Sequence, residues 1–226
     1  HDRMERLHLI RSSFALERKS SVGGDVLRGS RMFSNIPDTG KISISTDSLA
    51  SELERRYQQL AVIPDDVPVP LTLLCMLWGV MQPIPLRDAE AAAWIMEGKK
   101  VMRVAALEDG SLWCMINAEH STLLKQEMQA HLPEMHSRLI NLYRQGFHDL
   151  ALVPDDNYIV QNIAYHLVEA GRLSELATLL RDAIWLETKL RSYGTGPVVQ
   201  DFRRYFGCRQ DPDLTLMLRA FQISAN

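Results

Sequence analysis

Between Glu119 and Asn226 the apolar side chains return every three or four residues, with no stretch of strand-like alternation. That pattern confines this half of the chain to packed α-helices. The periodicity predicts helices over Glu119–Ala130, Leu132–Gln145, Asn157–Ala170, Leu173–Asp182, Ile184–Ser192, Val198–Phe206 and Asp213–Ile223. The breaks fall at Gly146, Pro154-Asp155-Asp156, Gly171 and Gly194-Thr195-Gly196-Pro197, residue types that stop one helix or cap the next. Links this short imply antiparallel neighbours in a compact array.

Upstream the pattern changes. A helix is expected from Asp47, capped by Asp47 or Ser48, with Leu49, Leu53, Tyr57 and Leu60 on one face and Pro64 as its end. Pro68 and Pro70 introduce a second helix, Leu71 to about Val80, apolar almost all round and therefore buried. A third runs from Leu86 to Met96, with Ala89, Ala92, Ala93 and Met96 facing inward and Gly98 as its stop. VMRVAAL and SLWCMIN then flank Glu108-Asp109-Gly110, which reads as a hairpin. Three helices followed by a two-stranded wing is the order of a winged helix. The fold class is thus mainly α, a winged helix followed by an α-helical array. The expected divisions are 1–45 as a basic tail or the end of a preceding lobe, 46–117 as the winged helix and 118–226 as the helical domain.

Residues 1–45 carry eight basic against five acidic side chains among glycines and serines, and a short helix over Met4–Leu16 followed by a linker accounts for them. AVIPDDVPVP and ALVPDDNYIV share a Pro-Asp-Asp turn, where proline presets the bend and aspartate caps the following helix. With 46% hydrophobic and 23% charged residues the chain is expected to be globular. No apolar run reaches the roughly 18 residues that a membrane span needs, and the N-terminal residues do not read as a signal peptide. Cys75, Cys114 and Cys208 are widely spaced and fit reduced, packing thiols in a cytoplasmic protein.

Little in the sequence points to chemistry. Neither VGGDVLRGS nor YGTGPVV supplies the lysine of a phosphate-binding P-loop. His131 and His136 lie five apart, which does not align them on one helix face for zinc, and both are expected as ordinary surface or half-buried side chains. His148-Asp149 lacks a serine or cysteine nucleophile pattern, and Asp155-Asp156 is better explained by capping than by acid and base work. No catalytic or metal-ligating residue is assigned, and no enzymatic activity is expected. The third helix, LRDAEAAAWIMEG, offers one arginine against Asp88, Glu90 and Glu97, and the net charge is −3, so nucleic acid is a poor partner. A winged-helix nucleic-acid binder using Lys99, Lys100 and Arg103 is the alternative reading.

Two stretches carry a family likeness. DSLASELERRYQQLAVIPDDVPVPLTLLCMLWG resembles the opening of the winged-helix domain in apoptotic protease-activating factors, a group of the NB-ARC signalling ATPases. YIVQNIAYHLVEAGRLSELATLLRDAIWLETKLRSYG resembles the helical domain that follows it, with Ala164-Tyr165-His166-Leu167, Glu175-Leu176, Trp185-Leu186 and Lys189 at matching places. The resemblance implies a non-catalytic regulatory module. It would touch a nucleotide-binding domain on one side and a repeat domain, often WD repeats, on the other, within a protein that forms homo-oligomers. ATP or ADP would be held by the nucleotide-binding domain and no cofactor by this chain. In the family a histidine-aspartate pair after the wing senses the nucleotide. An ungapped alignment puts Asn117-Ala118 there, and a shifted one puts His120 there. Asparagine can donate a hydrogen bond to a phosphate oxygen but carries no charge, and alanine removes the acidic partner.

Overall fold

The computed structural model describes residues 46–79 and 83–224; the Met4–Leu16 helix and the tail reading of 1–45 lie outside the described residues. Helix α1 spans Thr46–Gln59, a range that includes Asp47 and Ser48. A 3-10 turn, Leu60–Val62, continues it with all three side chains buried. Strand β1 (Val69–Pro70) leads directly into α2 (Leu71–Trp78), whose Leu71, Leu73, Leu74, Leu77 and Trp78 are buried. Helix α3 runs Leu86–Gly98 and buries the expected stripe of Ala89, Ala92, Ala93 and Met96.

The hairpin forms as β2 (Met102–Ala106) and β3 (Leu112–Ile116), paired Met102↔Ile116 through Ala106↔Leu112. Gly110 takes the left-handed conformation in the turn, with φ +78°. The sheet has three strands, not two, in the order β1-β3-β2. Val69 and Pro70 pair antiparallel with Cys114 and Trp113. A two-residue strand with a proline gives no readable alternation, and only an edge position tolerates the missing N–H. On the opposite edge the Glu97 carboxylate accepts from the Val104 N–H at 3.0 Å, which closes part of an otherwise open ladder.

Seven further helices follow among the described residues: α4 (Ala118–Glu127), α5 (Leu132–Arg144), α6 (Ile159–Glu169), α7 (Leu173–Leu179), α8 (Ala183–Tyr193), α9 (Thr195–Phe206) and α10 (Pro212–Ser224). Helix α6 is the hub, contacting α5, α7, α8 and α9, while α10 packs on α9. The Gly194–Pro197 break shrinks to one residue. Gly194 turns the chain with φ +77°, and Thr195, Gly196 and Pro197 already belong to α9. A proline in the first turn costs no intrahelical hydrogen bond, which is why it starts this helix instead of delaying it.

Both Pro-Asp-Asp turns follow a 3-10 turn, the second being Leu150–Leu152. The second turn caps as expected, since Asp156 Oδ1 accepts from the N–H groups of Tyr158 (3.0 Å) and Ile159 (2.8 Å). The first does not. The N-cap position of α2 is Pro70, with no side-chain bond, and Asp65 instead reaches across to α4, accepting from Ser121 Oγ at 2.5 Å and Lys125 Nζ at 2.6 Å.

One buried apolar cluster runs from Leu60 to Leu214, so the winged-helix-like part and the helical array share a core. The expectation that His131 and His136 are surface or half-buried side chains holds for the first alone. His131 is exposed, but His136 is 1% exposed because it falls on the inner stripe of α5 with Leu139, Ile140 and Tyr143. Its Nδ1 lies 2.8 Å from Nδ1 of the fully buried His166, whose Nε2 is 2.7 Å from the Tyr158 hydroxyl.

Candidate functional site

The residues singled out after the wing sit at the start of α4. Asn117 closes the hairpin through its N–H to the Val101 carbonyl, at 2.9 Å. Its side-chain Nδ2 donates to the carbonyl of Lys100, a residue held at φ +61°. The amide is thus turned back on the base of the wing and makes no cap bond to α4. Ala118 is exposed beside it. One turn on, His120 Nδ1 is 2.9 Å from the Tyr57 hydroxyl, the two rings meeting edge to face with centroids 5.7 Å apart. Burial, and then the charge of Glu127, push the Tyr57 hydroxyl above its ordinary range. Leu53, Tyr57, Met96 and Val101 wall a groove of about 490 Å³ here, which Glu54, Lys99 and His120 also line. His120 and Lys99 thus line one groove, while the Asn117 amide is bonded to Lys100 at the base of the wing.

The other side of α4 carries a second groove, of about 510 Å³, lined by Asp65, Thr122, Lys125, Gln126, Leu132 and Glu169 among others. Burial would raise the Asp65 carboxyl, but its bonds from Lys125 and Ser121 outweigh this and hold it below the usual carboxylate range. Helix α4 is thus tied to the turn after α1, while α5 touches the 3-10 turn Leu60–Val62.

Polar pins hold the helical array. Tyr143 donates to Asp156 Oδ2 at 2.5 Å and Tyr193 to Asp155 Oδ2 at 2.7 Å, so the second Pro-Asp-Asp turn clamps α5 and α8. Deeper in, Lys189 Nζ donates to Asp201 Oδ2 and, at 3.1 Å, to the Gln161 carbonyl. Both charged side chains are within 1% of complete burial. Burial pulls the Lys189 ammonium down and pushes the Asp201 carboxyl up, each opposed by the other's charge. Arg204 backs Asp201 at 3.2 Å, and the Trp185 ring centre lies 5.0 Å from Lys189 Nζ.

The remaining candidates do not assemble. His148 is exposed, and Asp149 Oδ1 accepts from the Ala151 N–H, so the pair forms no dyad. The outward side of α3 presents Trp94 (39% exposed) and Ile95 (49%) with Asp88 and Glu90, a poor match to a polyanion. Among the described residues no three His, Cys, Asp or Glu side chains could hold a metal ion together, and no helix is long and apolar enough to cross a membrane.

Residues 132–219 match the family model of the APAF-1 helical domain, from the first residue of α5 into α10. This part of the chain is an APAF-1-like helical domain. The chain is also similar to apoptotic protease-activating factor 1 of Mus musculus, 23% identical over 168 residues, which are 73% of this chain and 13% of that protein. The human protein is 22% identical over 169 residues, again 73% and 13%, and that of Danio rerio 23% over 164 residues, 71% and 13%. The chain thus spans about 13% of the length of these relatives.

Within the APAF-1-like helical domain, most side chains that carry the resemblance are interior: Ala164, His166, Leu167, Leu176, Trp185, Leu186 and Lys189 are buried, while Tyr165 and Glu175 are half-buried. The pins through His136, Lys189 and Asp201 were not read from the sequence. Their signal is a polar residue on an apolar stripe, as with Asp201 among Val198, Phe202 and Tyr205.

Proposed function

We propose that this chain is a regulatory module of an oligomerising signalling ATPase of the apoptotic type, performing no chemistry itself. It would work in the cytoplasm and carry contacts between a nucleotide-binding domain and a repeat domain of the same protein. The observation that carries this reading is the APAF-1-like helical domain built onto a winged-helix-like part through one shared core. A continuous core transmits a displacement at either end as a rigid-body shift, which is what a relay between domains requires.

ATP or ADP belongs, on this reading, to the nucleotide-binding domain. Asn117 is the position that would face it, and its contact is an uncharged one. Because the Asn117 amide already donates to Lys100, nucleotide state would shift the closed–open balance of this module less than a charged sensor does.

The test is association of the chain with the nucleotide-binding domain of its own full-length protein, measured by calorimetry with ADP and with a non-hydrolysable ATP analogue. Binding that differs less than about tenfold between the two, a difference of about 1.4 kcal/mol, supports a weak sensor. An Asn117→His variant should widen the gap. Absence of association in both nucleotide states overturns the reading.

A further inference from the structure

The contact between α5 and α6 holds two buried imidazoles and a tyrosine in one hydrogen-bonded chain. His136 Nδ1 and His166 Nδ1 face each other at 2.8 Å, and the far nitrogen of His166 meets the Tyr158 hydroxyl at 2.7 Å. Each gap holds a single proton. If Tyr158 donates to His166 Nε2, the His166 Nδ1–H donates to a bare His136 Nδ1. If the chain runs the other way, His136 Nδ1–H donates to His166 and His166 Nε2–H to the Tyr158 oxygen. In each direction one nitrogen at the Nδ1···Nδ1 gap must stay bare to accept, so the pair keeps its bond with at most one imidazolium. A first proton leaves that bond made, at most reversing the Tyr158 bond, but places a charge where the rings are 1% and 0% exposed; a second sets two N–H groups against each other.

The surroundings offer that charge no relief. The charges acting on the two rings are Lys125 from α4, on His136, and on His166 first His136 and then Arg204 from α9; each disfavours an added proton. Tyr165 of α6 stands edge-on to each ring, and Asp65 and Glu169 act on Tyr165, with Asp156 on Tyr158. Burial, reinforced by Lys125, lowers the His136 imidazole to about 4, and burial lowers His166 well below its ordinary value.

The position of α5 gives this a consequence. Helix α5 packs on α6 on one side and on the Leu60–Val62 turn of the winged-helix-like part on the other. Its other ties hold no imidazole: Tyr143 donates to Asp156, and Arg144 and Arg172 meet Glu175, whose carboxyl those guanidiniums hold below its ordinary range so that it stays charged in mild acid.

We propose that the Tyr158–His166–His136 chain is an acid-released latch, which fastens α5 to α6 while both imidazoles are neutral and frees α5 when they take up protons. The proposal is independent of the functional reading above. The sign follows from linkage: the latched state binds fewer protons than the opened one, so closure is complete above the opened-state value near 6.5 and weakens as pH falls below it.

The experiment is hydrogen–deuterium exchange of the 226-residue chain from pH 7.5 to 5.0, corrected for intrinsic rates, following peptides of α5 and α6. With two protons taken up on opening, the opening constant should rise about 100-fold per pH unit below about pH 6.5. In His136→Asn, whose Oδ1 can accept from His166 Nδ1–H without titrating, the rise should drop to about tenfold per unit. A wild-type opening constant that ignores pH, or an unchanged slope in the variant, overturns the proposal. Should His136→Asn fail to fold at pH 7.5, NMR titration of the native imidazoles decides. Rings that stay neutral below pH 5 support the latch, and rings that titrate at 6.5 or above refute it.

Discussion

Lys189 and Asp201 are the most fully buried charges among the described residues, so removing each in turn gives the sharpest check of the packing argument. Asp201→Leu leaves the Lys189 ammonium with the Gln161 carbonyl at 3.1 Å, the Trp185 ring and the more distant charge of Asp155. Stranding a buried charge costs about 3–5 kcal/mol, and the upper end applies because nothing else near Lys189 is negative and bonded to it. Lys189→Met strands Asp201 less severely. Arg204 already bonds its Oδ1 at 3.2 Å and is 32% exposed, so it can follow the carboxylate. That variant should lose about 3 kcal/mol, the low end of the same range. Combining the two replaces the pair with apolar volume, and the double variant should return to within about 1 kcal/mol of the parent or exceed it. Urea unfolding at pH 7.5, read by far-UV circular dichroism and tryptophan fluorescence, measures all three. In a chain of this size the Asp201→Leu loss corresponds to a fall in Tm of roughly 10–20 °C at about 2–4 °C per kcal/mol. Additive losses in the double variant would refute the reasoning, as would a larger loss for Lys189→Met than for Asp201→Leu.

Trp185→Ala removes a 2% exposed ring from the α6–α8 contact and should cost about 3–5 kcal/mol by the same unfolding assay. Asp65 is held low by Lys125 and Ser121, so its stabilising share is present above the unfolded carboxylate range near 3.9 and is lost as pH falls through the lower folded value. Its side chain is 62% exposed, so Asp65→Asn should change stability by no more than about 1 kcal/mol at pH 7. That difference should vanish near pH 2 in parallel acid-unfolding curves.

Much of the fold is legible because helical periodicity survives in each segment. The inner stripe of α3 and the core place of Trp185 follow from spacing alone. The hairpin follows from β-branched and aromatic residues about a glycine turn. Strand β1 is illegible because Val69-Pro70 is too short to alternate and its pairing with Cys114 and Trp113 is a tertiary fact. The first Pro-Asp-Asp turn misleads for a related reason. An aspartate before a helix has the same local chemistry whether it caps that helix or reaches another, and only the arrival of Ser121 and Lys125 decides. At the candidate site, Asn117 can be placed at the wing's end by counting, whereas the turning of its amide onto Lys100 depends on the left-handed backbone there.

The polar residues on the apolar stripes do something that the stripes cannot. The inner faces of α5 to α9 are built mostly from the same few side chains, Leu, Ile, Val, Ala and aromatics, and such faces tolerate one another in many pairings. A buried imidazole or ammonium tolerates only a complement. Docking α5 anywhere but against α6 would bury His136 without His166, and docking α8 away from α6 and α9 would bury Lys189 without Asp201 and the Gln161 carbonyl. Each error leaves a polar group unpaired at a cost of at least about 1–3 kcal/mol. The total stability of a domain is about 5–15 kcal/mol, so two such penalties decide which helix stands next to which. The same reasoning places the acid sensitivity: a pairing made through one bare imidazole nitrogen is lost once both rings carry a proton.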